Sequence, residues 1–143
     1  MTHLSLILRN HVSEIARLVE RLERFGHEAG LPDDVTFRLT LALDEIVSNV
    51  IRHGFDDAGE HAIAVTLDIA GGTITATVVD DGSPFDPLDA PAPDLDAPLE
   101  ERRPGGLGIH LVRTTMDDVR YARDGDRNVL TIRTSVESRE TLG

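Results

Sequence analysis

Leu43-Asp44-Glu45-Ile46-Val47-Ser48-Asn49-Val50-Ile51-Arg52-His53-Gly54-Phe55 carries two patterns at once. Leu43, Ile46, Val47, Val50 and Ile51 recur at the three- and four-residue spacing of one helix face, while Glu45, Asn49 and His53, four apart, share another. A helix that buries its apolar stripe therefore presents a carboxylate, an amide and an imidazole in one line. Taken alone, that line is equally a solvated polar stripe opposite the core. Upstream, Pro32, Asp33 and Asp34 make a helix start, and Val35, Leu39 and Ala42 extend the stripe, so a long helix running to Gly54 is expected.

Working outward toward the N-terminus, Val12, Ile15, Leu18, Val19, Leu22 and Phe25 predict a helix from His11 to about Ala29, with Asn10 as a possible cap and Gly30 as its end. Before it, Leu4, Leu6 and Leu8 alternate as in a short strand over 3–9. Toward the C-terminus, 61–69 and 73–80 are alternating β-branched runs split by Ala70-Gly71-Gly72, a hairpin. Residues 84–104 hold six of the seven prolines and few large apolar side chains, which suits a lid or mobile loop. Gly105, Gly106 and Gly108 then open a third helix with Leu107, Ile109, Leu111, Val112 and Met116. Val119–Ala122 and Val129–Val136, split by 123–128, predict a closing hairpin. This order predicts one α+β domain over 1–143: a two-layer sandwich whose mixed, mainly antiparallel sheet has helices on one face. A crossover would join the strand ending at Asp80 to the one after the third helix if the two are parallel.

Composition narrows the function classes. The chain has 143 residues, 40% of them hydrophobic, and a formal charge of −12. That field repels nucleic-acid backbones and anionic lipid, so no direct nucleic acid and no membrane partner is expected. Absence of Cys removes thiolate nucleophiles and disulfides, and no apolar run is long enough for a span, so the expected location is cytoplasmic. All 14 basic residues are Arg. Without Lys, neither the G-x-x-x-x-G-K-[ST] phosphate loop nor the ordinary protein-kinase ATP site is possible. The histidines show no zinc-ligand spacing.

Two further segments carry candidate chemistry. In Val78-Val79-Asp80-Asp81-Gly82-Ser83-Pro84 a carboxylate at a strand end can accept a hydrogen bond from an exocyclic amine, and Gly82 lets a backbone come close, although Asp-Gly is also a common turn pair. In Pro104-Gly105-Gly106-Leu107-Gly108-Ile109 free N–H groups at a helix start make a phosphate site that needs no Lys, although a flexible hinge reads the same way.

Together and in this order, the three segments resemble the nucleotide site of the gyrase, chaperone, histidine-kinase and mismatch-repair ATPase superfamily, and within it the bacterial anti-sigma-factor serine/threonine kinases. The resemblance covers nearly the whole chain. It implies an ATP-dependent kinase that phosphorylates a Ser or Thr on a small anti-anti-sigma (antagonist) domain and sequesters a sigma factor, with ATP and Mg²⁺ as cofactors. It implies Glu45 as catalytic base, Asn49 as the Mg²⁺ ligand, Asp80 as the adenine reader with Gly82 beside the base, and Gly105, Gly106 and Gly108 around the phosphates under a lid at about 84–104. Thr131 is a further candidate for the adenine pocket. Arg103, with Arg102, could neutralise phosphate or simply be exposed. Pro84 stands where the wider superfamily has a second glycine, as it does in related small anti-sigma kinases. A non-catalytic ATP-binding switch is the alternative function. An apolar first strand at an open edge suggests a homodimer.

Overall fold

The computed structural model describes residues 2–55, 57, 59–84, 86 and 106–139, with backbone alone at 106–108. The elements run β1 (His3–Arg9), α1 (Glu14–Glu28), α2 (Asp33–His53), β2 (Ala62–Ala70), β3 (Thr73–Asp80), α3 (Gly106–Thr115), β4 (Asp118–Asp124) and β5 (Arg127–Ser135). The strands form one sheet in the order β1-β2-β3-β5-β4.

The expected α+β sandwich is what forms, with every neighbouring strand pair antiparallel. Two antiparallel steps, β3 to β5 and β5 to β4, make β3 and β4 parallel without being neighbours, and α3 bridges them. Alternation places Leu4, Leu6 and Leu8, Ile63, Val65 and Leu67, Ile74, Ala76 and Val78, and Leu130 and Ile132 on one buried face. Against that face pack Leu18, Leu22 and Phe25 of α1, Leu39, Leu43, Ile46 and Val47 of α2, and Val112 of α3. Each fully buried Leu, Ile or Val contributes roughly 1.5–3 kcal/mol of transfer free energy. The other sheet face, including Ser5, Ile7, Thr75 and Thr77, is half-buried or exposed.

Both hairpins are two-residue turns. Gly71 and Gly72 have φ of 59° and 78°, the pair of left-handed residues that a type I′ turn requires. In the second, Asp124 pairs with Arg127, so the strands reach further into 123–128 than the sequence predicts, and Gly125 (φ 61°) alone takes the left-handed position.

The start of α1 also departs from expectation. Asn10 does not cap it: its side chain donates to Gly59 O and accepts from His61 N–H, tying β1's exit to the segment after α2. The helix starts at Glu14, three residues later than expected, and Val12, predicted on its apolar stripe, lies in the preceding turn and is exposed. The predicted lid at 84–104, apart from 84 and 86, lies outside the described residues.

Candidate functional site

The end of α2 and the exit of β3 meet backbone to backbone. Ser83 N–H donates to Gly54 O at 3.0 Å, and a Cβ placed on Gly82 would lie 2.1 Å from the same oxygen. Only a glycine permits that approach. It brings the last turns of α2, and with them Asn49, to the strand end that carries Asp80.

Asn49 and Asp80 line one small recess of about 20 Å³, walled by Ile46, Val50, Val78, Leu130 and Tyr121, with Gly54 and Asn128 completing it. Both polar residues are buried, at 4% and 5% exposure. Asp80 Oδ1 accepts from Gly82 N–H at 2.8 Å and from the Asn128 side-chain amide at 3.0 Å. Among the described residues no hydrogen bond is made to its Oδ2, and none is made to the Asn49 amide. These unbonded atoms open onto a recess between apolar walls, an arrangement that suits a ligand carrying its own donors and acceptors.

The orientation of Asp80 is imposed from β4 and β5. Asn128 pairs with Asp80 across the β3–β5 ladder, its amide N–H₂ also donating to Ser83 O at 2.8 Å. Its Oδ1 accepts from Tyr121 O–H and from Arg123, whose guanidinium also donates to Gly82 O at 2.7 Å. Two donors on Oδ1 leave the amide nitrogen no alternative but to face Asp80.

The sequence-predicted residues fall as follows. Glu45 is half-buried one turn before Asn49 on the same face, and its carboxylate makes no hydrogen bond among the described residues. His53 is exposed in the last turn of α2. Gly106 and Gly108 lie in the first turn of α3, which packs on α2. Gly105, Arg102 and Arg103 are outside the described residues. Thr131 is placed elsewhere than the recess: it pairs with Thr77 and Arg120 on the face turned away from the helices, because alternation sends Leu130 and Ile132 inward. The recess instead takes Leu130 and, two residues earlier, Asn128. Sequence reasoning put Asn128 and Arg123 in a turn; a register count back from Ile132 would have set Asn128 on the inner face.

Beside Asp80, the segment after α2 is clamped by a charged triad. His61 shares a hydrogen bond with Asp57 at 2.8 Å through Nε2 and with Asp81 at 3.0 Å through Nδ1, and Phe55 stacks on its ring at 4.2 Å. The Asp57 bond, then the Asp81 bond, raise the His61 pKa against the opposing pull of burial, while the His61 bond lowers that of Asp57. The histidine's contribution is thus fully present below its unfolded pKa of about 6.5 and is lost as pH rises through its higher folded value. The aspartate's is present above about 3.9 and is lost as pH falls through its lower folded value. An NMR titration is expected to find His61 above the ordinary histidine range and to bring it back toward that range in Asp57→Asn; equal midpoints would exclude the clamp.

The described residues hold no cluster of three or more His, Asp or Glu fit for a metal. The Asn49 side-chain oxygen lining the recess is a hard donor of the kind Mg²⁺ accepts, an ion that keeps waters and substrate oxygens in its shell. No described helix is long and apolar enough to cross a membrane.

Residues 8–134 match the family described as histidine kinase-like ATPase domain. The serine/threonine-protein kinase BtrW of Bordetella bronchiseptica is 34% identical over 96 residues, covering 67% of this chain and 68% of that protein. The serine-protein kinase RsbW of Bacillus cereus is 29% identical over 110 residues, covering 73% and 68%. Among solved structures, the RsbU and RsbW domains of a Mycobacterium tuberculosis protein superpose with a TM-score of 0.69 at 18% identity, over 94% of this chain and 32% of that longer one. The Acinetobacter baumannii histidine kinase AdeS superposes at 0.51 and 16% identity, over 93% and 68%. At those identities the two structures speak for the fold.

Proposed function

The chain belongs to the histidine kinase-like ATPase domain family, with relatives named as serine-protein kinases, and from that premise we propose that it is an ATP-dependent serine/threonine kinase acting as an anti-sigma factor. The observation that carries the reading is the pair of buried, incompletely bonded side chains, Asn49 and Asp80, in one recess. Bound ATP would supply the phosphoryl group, and Mg²⁺ held at the Asn49 oxygen would offset its charge.

Asp80 Oδ2 accepts from the exocyclic amine of adenine, held to that task by Asn128 on Oδ1. Ile46, Val50, Val78 and Leu130, the apolar walls, would flank the base once the recess widens to admit it. Asn49 offers its oxygen to the metal. Gly106 and Gly108, together with Gly105, offer backbone N–H groups to the phosphates at the start of α3, and Arg103 adds a cation. Glu45 takes the proton from the acceptor hydroxyl, which lies on a small antagonist domain. Phosphorylation releases that domain and leaves the kinase to hold a sigma factor. We place the whole in one cytoplasmic domain, closed by a lid at about 84–104 and paired as a homodimer through the β1 edge.

Calorimetric titration tests the base recognition. Asp80→Asn keeps the shape but sets an amide against the adenine amine or breaks the Asn128 bond, and is expected to weaken Mg-ATP about 10- to 100-fold while leaving Mg-GTP unchanged. Equal ATP affinity in the two proteins would remove Asp80 from the site. Phosphoserine or phosphothreonine on a cognate antagonist domain is the expected product. ATP binding without transfer to any cognate domain would make the protein a nucleotide-gated switch.

A further inference from the structure

A second concavity, of about 600 Å³, lies between α1 and α2 and shares no lining residue with the recess. Val19, Leu31, Phe37 and Leu41 give it an apolar floor. Phe37 is 68% exposed, in a chain with only four Phe and one Tyr. An aromatic ring left in water on a helix face is a feature of contact surfaces, where Phe is enriched. Thr40, also lining the groove, has a hydroxyl with no hydrogen-bond partner among the described residues.

The rim is acidic. Glu23, Asp33 and Asp44 border the groove, and none forms an ion pair among the described residues; Asp44 receives only the Ser48 hydroxyl, at 3.0 Å. Asp33 lies in the first turn of α2, where the helix dipole favours it, but Glu23 and Asp44 have no such compensation. Elsewhere the helices do pair their charges, as Arg24 with Glu20 at 2.9 Å.

We propose that this groove docks an amphipathic helix of a protein partner, its apolar stripe on Phe37 and Leu41 and its flanking Lys or Arg side chains against Glu23, Asp33 and Asp44. Charge selects the occupant. A second copy meeting the groove through a two-fold axis would set the same carboxylates against each other, and an anionic lipid surface would be repelled by the rim and by a net charge of −12. A cationic amphipathic helix satisfies both the floor and the rim, with apolar anchors at i, i+3/i+4 and i+7.

The probe is a synthetic Leu/Lys helical peptide of about 18 residues, with a scrambled peptide of equal composition and a Leu/Glu counterpart as controls. Amide shifts in labelled protein are expected to centre on Val19, Phe37, Thr40 and Leu41 with the Leu/Lys peptide alone. Phe37→Ser, a change at an exposed side chain that leaves the melting temperature in place, is expected to weaken the peptide at least about tenfold. Equal binding of the scrambled peptide, shifts centred away from the groove, or an unchanged affinity in Phe37→Ser would overturn the proposal. So would groove signals that broaden with protein concentration in the absence of peptide, since self-association would then be the occupant. Nucleotide affinity does not enter any of these readings, so the groove and the ATP recess stand or fall separately.

Discussion

Glu45→Gln is expected to bind Mg-ATP within about twofold of the parent protein and to transfer phosphate to an antagonist domain about 10²- to 10⁴-fold more slowly, the usual contribution of a positioned general base. Glu45 is half-buried on the face of α2 that carries Asn49, and no residue among those described holds its carboxylate. The amide keeps the size and the helix propensity but cannot take a proton. A structural role would surface as lost stability or lost nucleotide, so the diagnostic result is a fall in turnover alone. Single-turnover transfer with radiolabelled ATP makes the measurement, and transfer at the parental rate would deprive Glu45 of its role.

Gly82→Ala is expected to be the most damaging glycine-to-alanine change among the described residues. The added Cβ would sit 2.1 Å from Gly54 O and 2.9 Å from Asp80 Oδ1, and the first of these is backbone at the end of a 21-residue helix. Neither partner can swing aside, so the β3 exit must back away from α2, breaking the Ser83 N–H bond to Gly54 O. The cost is about 3 kcal/mol, with a fall in melting temperature on the order of 10 °C. Gly71→Asn is the comparison: that glycine has φ 59° with open space where its Cβ would be, and Asn suits the first position of a type I′ turn. Its melting temperature should stay within a few degrees of the parent's, about 1 kcal/mol or less. Equal melting of Gly82→Ala and the parent would mean that α2 and β3 do not meet as described.

The elements themselves were legible. Leu4, Leu6 and Leu8 alternate, Leu39, Leu43, Ile46 and Val47 recur at helical spacing, and Gly71-Gly72 sits between two β-branched runs; each is a local pattern, and each formed as predicted. The ends were less legible. Asn10 reads as a cap because capping is a local preference, yet its side chain goes to Gly59 and His61, about fifty residues away. The facing of Thr131 and Asn128 was illegible for a different reason. A strand exchanges its two faces at every residue, so an error of one position in register sends the side chain to the wrong side of the sheet.

The sequence by itself determined the three helices, the five strands, the absence of a lysine-based phosphate site and the line of Glu45, Asn49 and His53 on one helix face, since spacing along a single element decides all of these. Tertiary structure alone decided that Asp80 answers to Asn128, that Asn128 is fixed by Tyr121 and Arg123, that Gly82 touches Gly54, and that Phe37 stands over an acidic groove. Those are distances between residues remote in the chain. They come from how helices and sheet pack together, which local spacing does not encode.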